Sequence, residues 1–123
     1  MKIILSIKPK YVKAIFSGNK IFEYRKTIFK QSVDTVIIYA SSPVSKIVGE
    51  FAITDVLSET PERLWELTAL HSGIEKSFYD NYFVDKDIAY AIKIGGVKKY
   101  DKPLKLAKLV PNAKPPQSFM YLR

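Results

Sequence analysis

The segment from Asp34 to Ala40 constrains the fold more than any other in this chain. Val36, Ile37, Ile38 and Tyr39 follow one another without a polar break, so neither face of a strand built from them belongs in water. A run that is apolar on both faces is a central strand, flanked by neighbours and covered above and below. Ser41, Ser42 and Pro43 end it. The chain therefore needs enough further strands and helices to enclose this one. At 123 residues and 47% hydrophobic composition it has the length and the apolar content of one globular domain, spanning 1–123.

The neighbours are legible from periodicity. Lys2 to Ile7 places Ile3, Leu5 and Ile7 on one face of a strand. Pro9 suits the first turn of a helix, Val12, Ile15 and Phe16 follow helical spacing, and Gly18 supplies a left-handed stop. A strand over Lys20–Lys26 follows, and Lys46–Leu57 is a longer one with Gly49 as a bend. Thr60-Pro61 is a helix start, with Leu64, Trp65 and Leu67 as its buried side. His71, Ser72 and Gly73 interrupt it, and Ile74, Phe78, Tyr79, Tyr82 and Phe83 predict another helix. Asp87–Ile94 is a strand, and Gly95-Gly96 reads as a hairpin turn into Val97–Leu106. The proline-rich tail is expected to lay Phe119, Met120, Tyr121 and Leu122 back over the core. The order β-α-β-β-β-α-α-β-β lacks crossover units, which disfavours a doubly wound sheet. It predicts an α+β fold: a small, mostly antiparallel β-barrel with peripheral helices.

Charge narrows the function. The net charge is +8, and it is unevenly spread: +7 over residues 1–30, −6 over 31–92 and +7 over 93–123. Two basic ends that meet in space would form a footprint for a polyanion. Seventeen of the basic residues are Lys and three are Arg, which favours backbone attraction over bidentate base reading. With no cysteine and one histidine, the sequence provides no thiolate chemistry and predicts no metal site or cofactor. No apolar run reaches membrane-spanning length, so a cytoplasmic location without membrane contact is expected, with a monomer as the default.

Gly18-Asn19-Lys20-Ile21-Phe22-Glu23-Tyr24-Arg25 carries the densest chemistry. Glu23 and Arg25 share strand parity, whereas Lys20 joins them only if it lies in the preceding turn or the strand twists. The bland alternative is a surface strand with an incidental ion pair, worth at most about 1 kcal/mol. Glu23 is the only acid among the first thirty residues, which suits a role in positioning cations. Tyr39 and Ser41 close the central strand and are candidate cleft residues, with core packing the alternative for Tyr39. Glu50 is a second candidate acid or a solvated strand residue. His71 reads as a loop residue, and Trp65, Tyr79 and Tyr82 as packing residues, one of the tyrosines being able to stack a base.

Gly18, Lys20, Glu23 and Arg25 match the G-x-K-x-x-E-x-R signature, and the chain resembles the ASCH domain family of the PUA-like superfamily. Pro116-Gln117-Ser118-Phe119 is similar to the closing segment of small prokaryotic members. The resemblance implies a PUA-like barrel that binds RNA or another nucleic acid in a cleft beside the signature. It implies Gly18, Lys20, Glu23, Arg25, Tyr39, Ser41, Gln117 and Ser118 as nucleic-acid-binding residues. Some members are hydrolases of RNA or of a modified nucleoside; in that case Lys20 and Glu23 would be catalytic. The deacetylase members carry a threonine nucleophile where this chain has Glu23, so that reaction by that route is not expected here. Their mid-chain catalytic Glu has Glu75 as its nearest analogue. A protein-interaction or coregulator module is the remaining alternative.

Overall fold

The computed structural model describes residues 1–122; Arg123, counted above in the basic C-terminal third, lies outside them. Six strands form one sheet: β1 (Lys2–Ile7), β2 (Phe22–Arg25), β3 (Thr35–Ala40), β4 (Lys46–Glu59), β5 (Ala89–Leu104) and β6 (Phe119–Leu122). Their order across the sheet is β2-β5-β4-β3-β1-β6. β1 and β3 run parallel and every other pair is antiparallel. As its apolar run demands, β3 is interior, between β1 and β4. Its alternate residues enter two different cores. Val36, Ile38 and Ala40 join Ile3, Leu5, Ile7 and Phe51 under helix α1 (Pro9–Ser17). Ile37 and Tyr39 join Ile4, Ile47 and Leu106 on the other face.

The fold is α+β as expected, but the sheet is not closed into a barrel. β2 and β6 stand at opposite edges and do not pair. Each is only four residues long and pairs on one side alone, β2 with β5 and β6 with β1. Isolated contacts bridge the seam instead: Arg25 Nη2 donates to the Ser6 carbonyl at 2.9 Å, and the hydroxyls of Thr27 and Ser118 lie 3.1 Å apart.

Gly95-Gly96 is not a hairpin turn either. β5 runs through it as one 16-residue strand, because β4 offers it a partner on both sides of the double glycine. The register shifts there, so the glycines mark a bend in a long ribbon. The tail does return to the core: β6 pairs antiparallel with β1, after a short helix α4 (Leu106–Leu109) that the periodicity did not announce.

Helices α2 (Pro61–Thr68) and α3 (Lys76–Tyr82) pack on β2 and the start of β5. Thr60 caps α2 by accepting from Arg63 N–H at 3.3 Å, with Pro61 at the first helical position. A 3-10 turn, Ala69–His71, links them to the loop that closes over the signature.

Candidate functional site

The site begins at the end of α1. Val12 and Ile15 bury that helix against the sheet, and Gly18 ends it at φ +85°, its N–H returning to the Ile15 carbonyl. The chain then turns sharply: Lys20 N–H donates to the Ala14 carbonyl at 3.0 Å, and Ile21 N–H to that of His71 at 2.9 Å. Lys20 thus sits in the turn before β2, which overcomes its opposite parity to Glu23 and Arg25. It is 2% exposed, an unusual position for a lysine.

Lys20 Nζ donates to the Ser72 carbonyl at 2.8 Å and stands 4.0 Å from Glu23 Oε1. The faces of Tyr24 and Tyr11 lie 4.9 and 5.6 Å from it. Glu23 Oε2 is 3.1 Å from Arg25 Nη2. Glu23 is therefore flanked by two cations, and the trio carries a net +1 with little water to screen it. Burial lowers the proton affinity of Lys20; Glu23 opposes that shift and Arg25 adds to it. Burial also pushes the Tyr24 phenol up to about 12. Its Oη is 2.7 Å from Thr68 Oγ1, which ties β2 to α2.

The trio borders a cavity of about 150 Å³. One wall is the end of β1 and the start of α1, with Ser6, Lys8 and Tyr11; the facing wall is α3, with Phe78 and Tyr82. Phe78 and Tyr82 stack on each other at 6.1 Å, one helical turn apart. Lys8 Nζ lies 5.2 Å from the Phe78 ring and Lys26 Nζ 4.7 Å from that of Tyr82. Cations thus rim an aromatic slot with a charged floor. An apolar cavity of roughly 150 Å³ takes up benzene, so this one has room for a single planar ring.

The other candidates lie elsewhere. Tyr39 is 6% exposed in the core on the opposite face and does not border the cavity. Ser41 is half-buried just beyond β3, its N–H donating to the Ile7 carbonyl at 3.0 Å. Gln117 and Ser118 are exposed at the outer end of the seam. Glu50 accepts from the Tyr100 hydroxyl at 2.6 Å, away from the trio. Glu75, at the start of α3, is exposed and does not border the cavity. Tyr11, Phe78 and the Ser72 carbonyl escaped the sequence reading. Only the Phe78/Tyr82 spacing could have hinted at a second wall, and it reads equally well as core. No cluster of metal-ligating side chains is present among the described residues, nor is any helix there long and apolar enough to cross a membrane.

An α+β sheet with a basic, aromatic-walled cleft beside the G-x-K-x-x-E-x-R turn defines the class. The ASCH domain model matches residues 5–98, and the chain belongs to that family. It is 32% identical over 122 residues to the large ribosomal subunit protein uL22 of Ureaplasma parvum serovar 3, covering 98% of this chain and 39% of that protein. The chain thus spans well under half the length of that relative. It is 28% identical over 124 residues to an ASCH domain-containing ribonuclease of Zymomonas mobilis, covering 98% of this chain and 83% of that one. The crystal structure of ASCH from Zymomonas mobilis superposes with a TM-score of 0.91 at 26% identity, over 99% of this chain and 87% of that one.

Proposed function

We propose that the cleft binds single-stranded RNA, with one base in the slot lined by Tyr11, Phe78 and Tyr82, which the Tyr11 and Phe78 rings close at one end by touching at 5.4 Å. The carrying observation is the buried net-positive trio beneath that slot. An isolated cationic excess in a low-dielectric site is stabilised by an anion or a polarised carbonyl. The guest's oxygens would face Lys20 and Arg25, and Glu23 would hold both cations in place and accept from a base amine. Lys8 and Lys26, at the rim, suit flanking phosphates. Gly18, Ser41, Gln117 and Ser118 would contact the strand beyond the cavity, whereas Tyr39 would act only through the strand it anchors. The chain acts as a cytoplasmic monomer in this reading, without a cofactor.

A fluorescent RNA oligonucleotide titrated into the full chain tests it. Phe78→Ala should weaken binding by the equivalent of about 1–3 kcal/mol, the usual value of a base–aromatic stack. An unchanged affinity in Phe78→Ala and Lys20→Ala would reject the cleft as the site. Equal affinity for the matching DNA would make the 2′-hydroxyl irrelevant and the ligand nucleic acid in general.

The Zymomonas relative named ribonuclease favours a second reading on the same site, RNA hydrolysis. Glu23 would take a proton from the attacking water while Lys20 faces the negative charge developing on phosphorus-bound oxygen. As the P–O bond breaks, Lys20, whose proton affinity burial has lowered, would be suited to protonate the leaving oxygen. Loss of turnover in Glu23→Gln with RNA binding retained supports this reading. Binding by the unaltered chain with no cleavage leaves the first one standing alone.

A further inference from the structure

A second concavity lies on the far side of α3. It holds about 510 Å³, within the usual range of ligand and peptide sites, and opens between α2 and α3. Trp65 and the exposed Val84 provide its accessible apolar surface over the buried Phe83, and four acids (Glu62, Glu66, Asp80, Asp85) against two lysines (Lys76, Lys86) give its lining a net −2. The framework is rigid. Tyr79 Oη donates to the Pro61 carbonyl at 2.6 Å, and the Tyr79 ring packs on Trp65 at 4.7 Å and on Phe83 at 4.8 Å. Such a groove is formed before any guest arrives, which reduces the ordering cost of binding.

Its surroundings set it apart from the rest of the molecule. Residues 59–87 carry a net −4 in a chain whose other residues total +12. Of the seven large apolar side chains left exposed among the described residues, four (Leu67, Leu70, Val84 and Ile88) fall in or beside this layer. Leu70 is 89% exposed and Val84 62%. The acids that are paired, Glu66 with Arg63 and Asp80 with Lys76, are held by exposed partners, and such pairs exchange readily for a better one. The nucleic-acid reading leaves this face unused, since its charge repels phosphate.

We infer that the α2–α3 groove docks a basic amphipathic segment of another protein, apolar side chains on Trp65 and Val84 and Lys or Arg against Glu62 and Asp85. Charge complementarity selects the occupant. Two copies of this chain meeting face to face would oppose like charges. A head-to-tail contact of the acidic groove with a basic end would not close on itself without a ring. A different, basic chain meets neither obstacle. Its approach would be steered by the acidic layer, and its affinity would come from the apolar anchors.

Trp65 is the only tryptophan in the chain, so its emission reports on this groove alone. The probe is a short synthetic helix with lysines on one face and leucines on the other, titrated into the full chain. A saturable change in Trp65 emission is expected, weakened at least about tenfold in the double variant Glu62→Gln, Asp85→Asn, which removes about 1.4 kcal/mol by the same arithmetic. Both substitutions keep side-chain shape, and Asn tolerates the left-handed backbone at Asp85. RNA affinity should remain unaltered in that variant, which also reports that it is folded. No emission change, equal binding of a peptide with glutamates in place of lysines, or full affinity in the double variant would each overturn the inference. So would an emission change that follows chain concentration without peptide, which would make the occupant a second copy.

Discussion

Glu23 stands between Lys20 and Arg25 with a carboxylate oxygen toward each. Removing its charge leaves two buried cations without a counter-ion, a change that typically costs about 3–5 kcal/mol. Glu23→Gln should therefore lower the stability measured by urea unfolding by that order, far more than the same change at exposed Glu66. Lys20 carries a pH signature of its own. Its proton affinity in the folded chain lies below the ordinary value of 10.5. Between the two values the unfolded chain binds the additional proton, so stability rises with pH through that window and is depressed below it. Lys20→Met should flatten the stability profile there by calorimetry. A profile identical to that of the unaltered chain would contradict the lowered affinity.

At the level of elements, the site depends on how the loop after α2 is pressed onto β2. Gly73 has φ +67°, and a Cβ built on it would come within 2.4 Å of Lys20 Cβ. Gly73→Ala should therefore cost about 1–3 kcal/mol, from backbone strain and overpacking together, and should shift Lys20. Gly96→Ala meets open space, and its effect on thermal unfolding should stay within about 0.5 kcal/mol. Equal losses at the two positions would mean that the loop is not packed as described. The start and stop of α1 and the cap of α2 were readable because Pro9, Gly18 and Thr60-Pro61 act on their own backbone. The double glycine misled for the complementary reason. Whether Gly95-Gly96 turns or bends depends on whether β4 continues alongside it, and that is a property of the partner strand.

For the whole molecule, the cleft draws its cations from the basic first thirty residues and the groove its acids from the acidic middle, and the two lie on opposite sides of α3. RNA affinity should fall linearly with the logarithm of salt concentration. The slope should be about −0.7 per neutralised phosphate for a single strand, and Lys26→Ala should remove roughly one phosphate's share. A slope that Lys26→Ala leaves untouched would place the strand elsewhere. The open seam also belongs to this scale. No local pattern shows that β2 and β6 fail to pair.

Sequence alone determined what nearest neighbours along the chain control: an interior β3 from an unbroken apolar run, the ends of α1, and the shared parity of Glu23 and Arg25. Tertiary structure decided that Lys20 would be buried and that Phe78 and Tyr82 would face it as a wall. The reason is distance along the chain. The carbonyl that receives the Lys20 ammonium lies 52 residues away, and only the packing of α2 and α3 on the sheet brings it there.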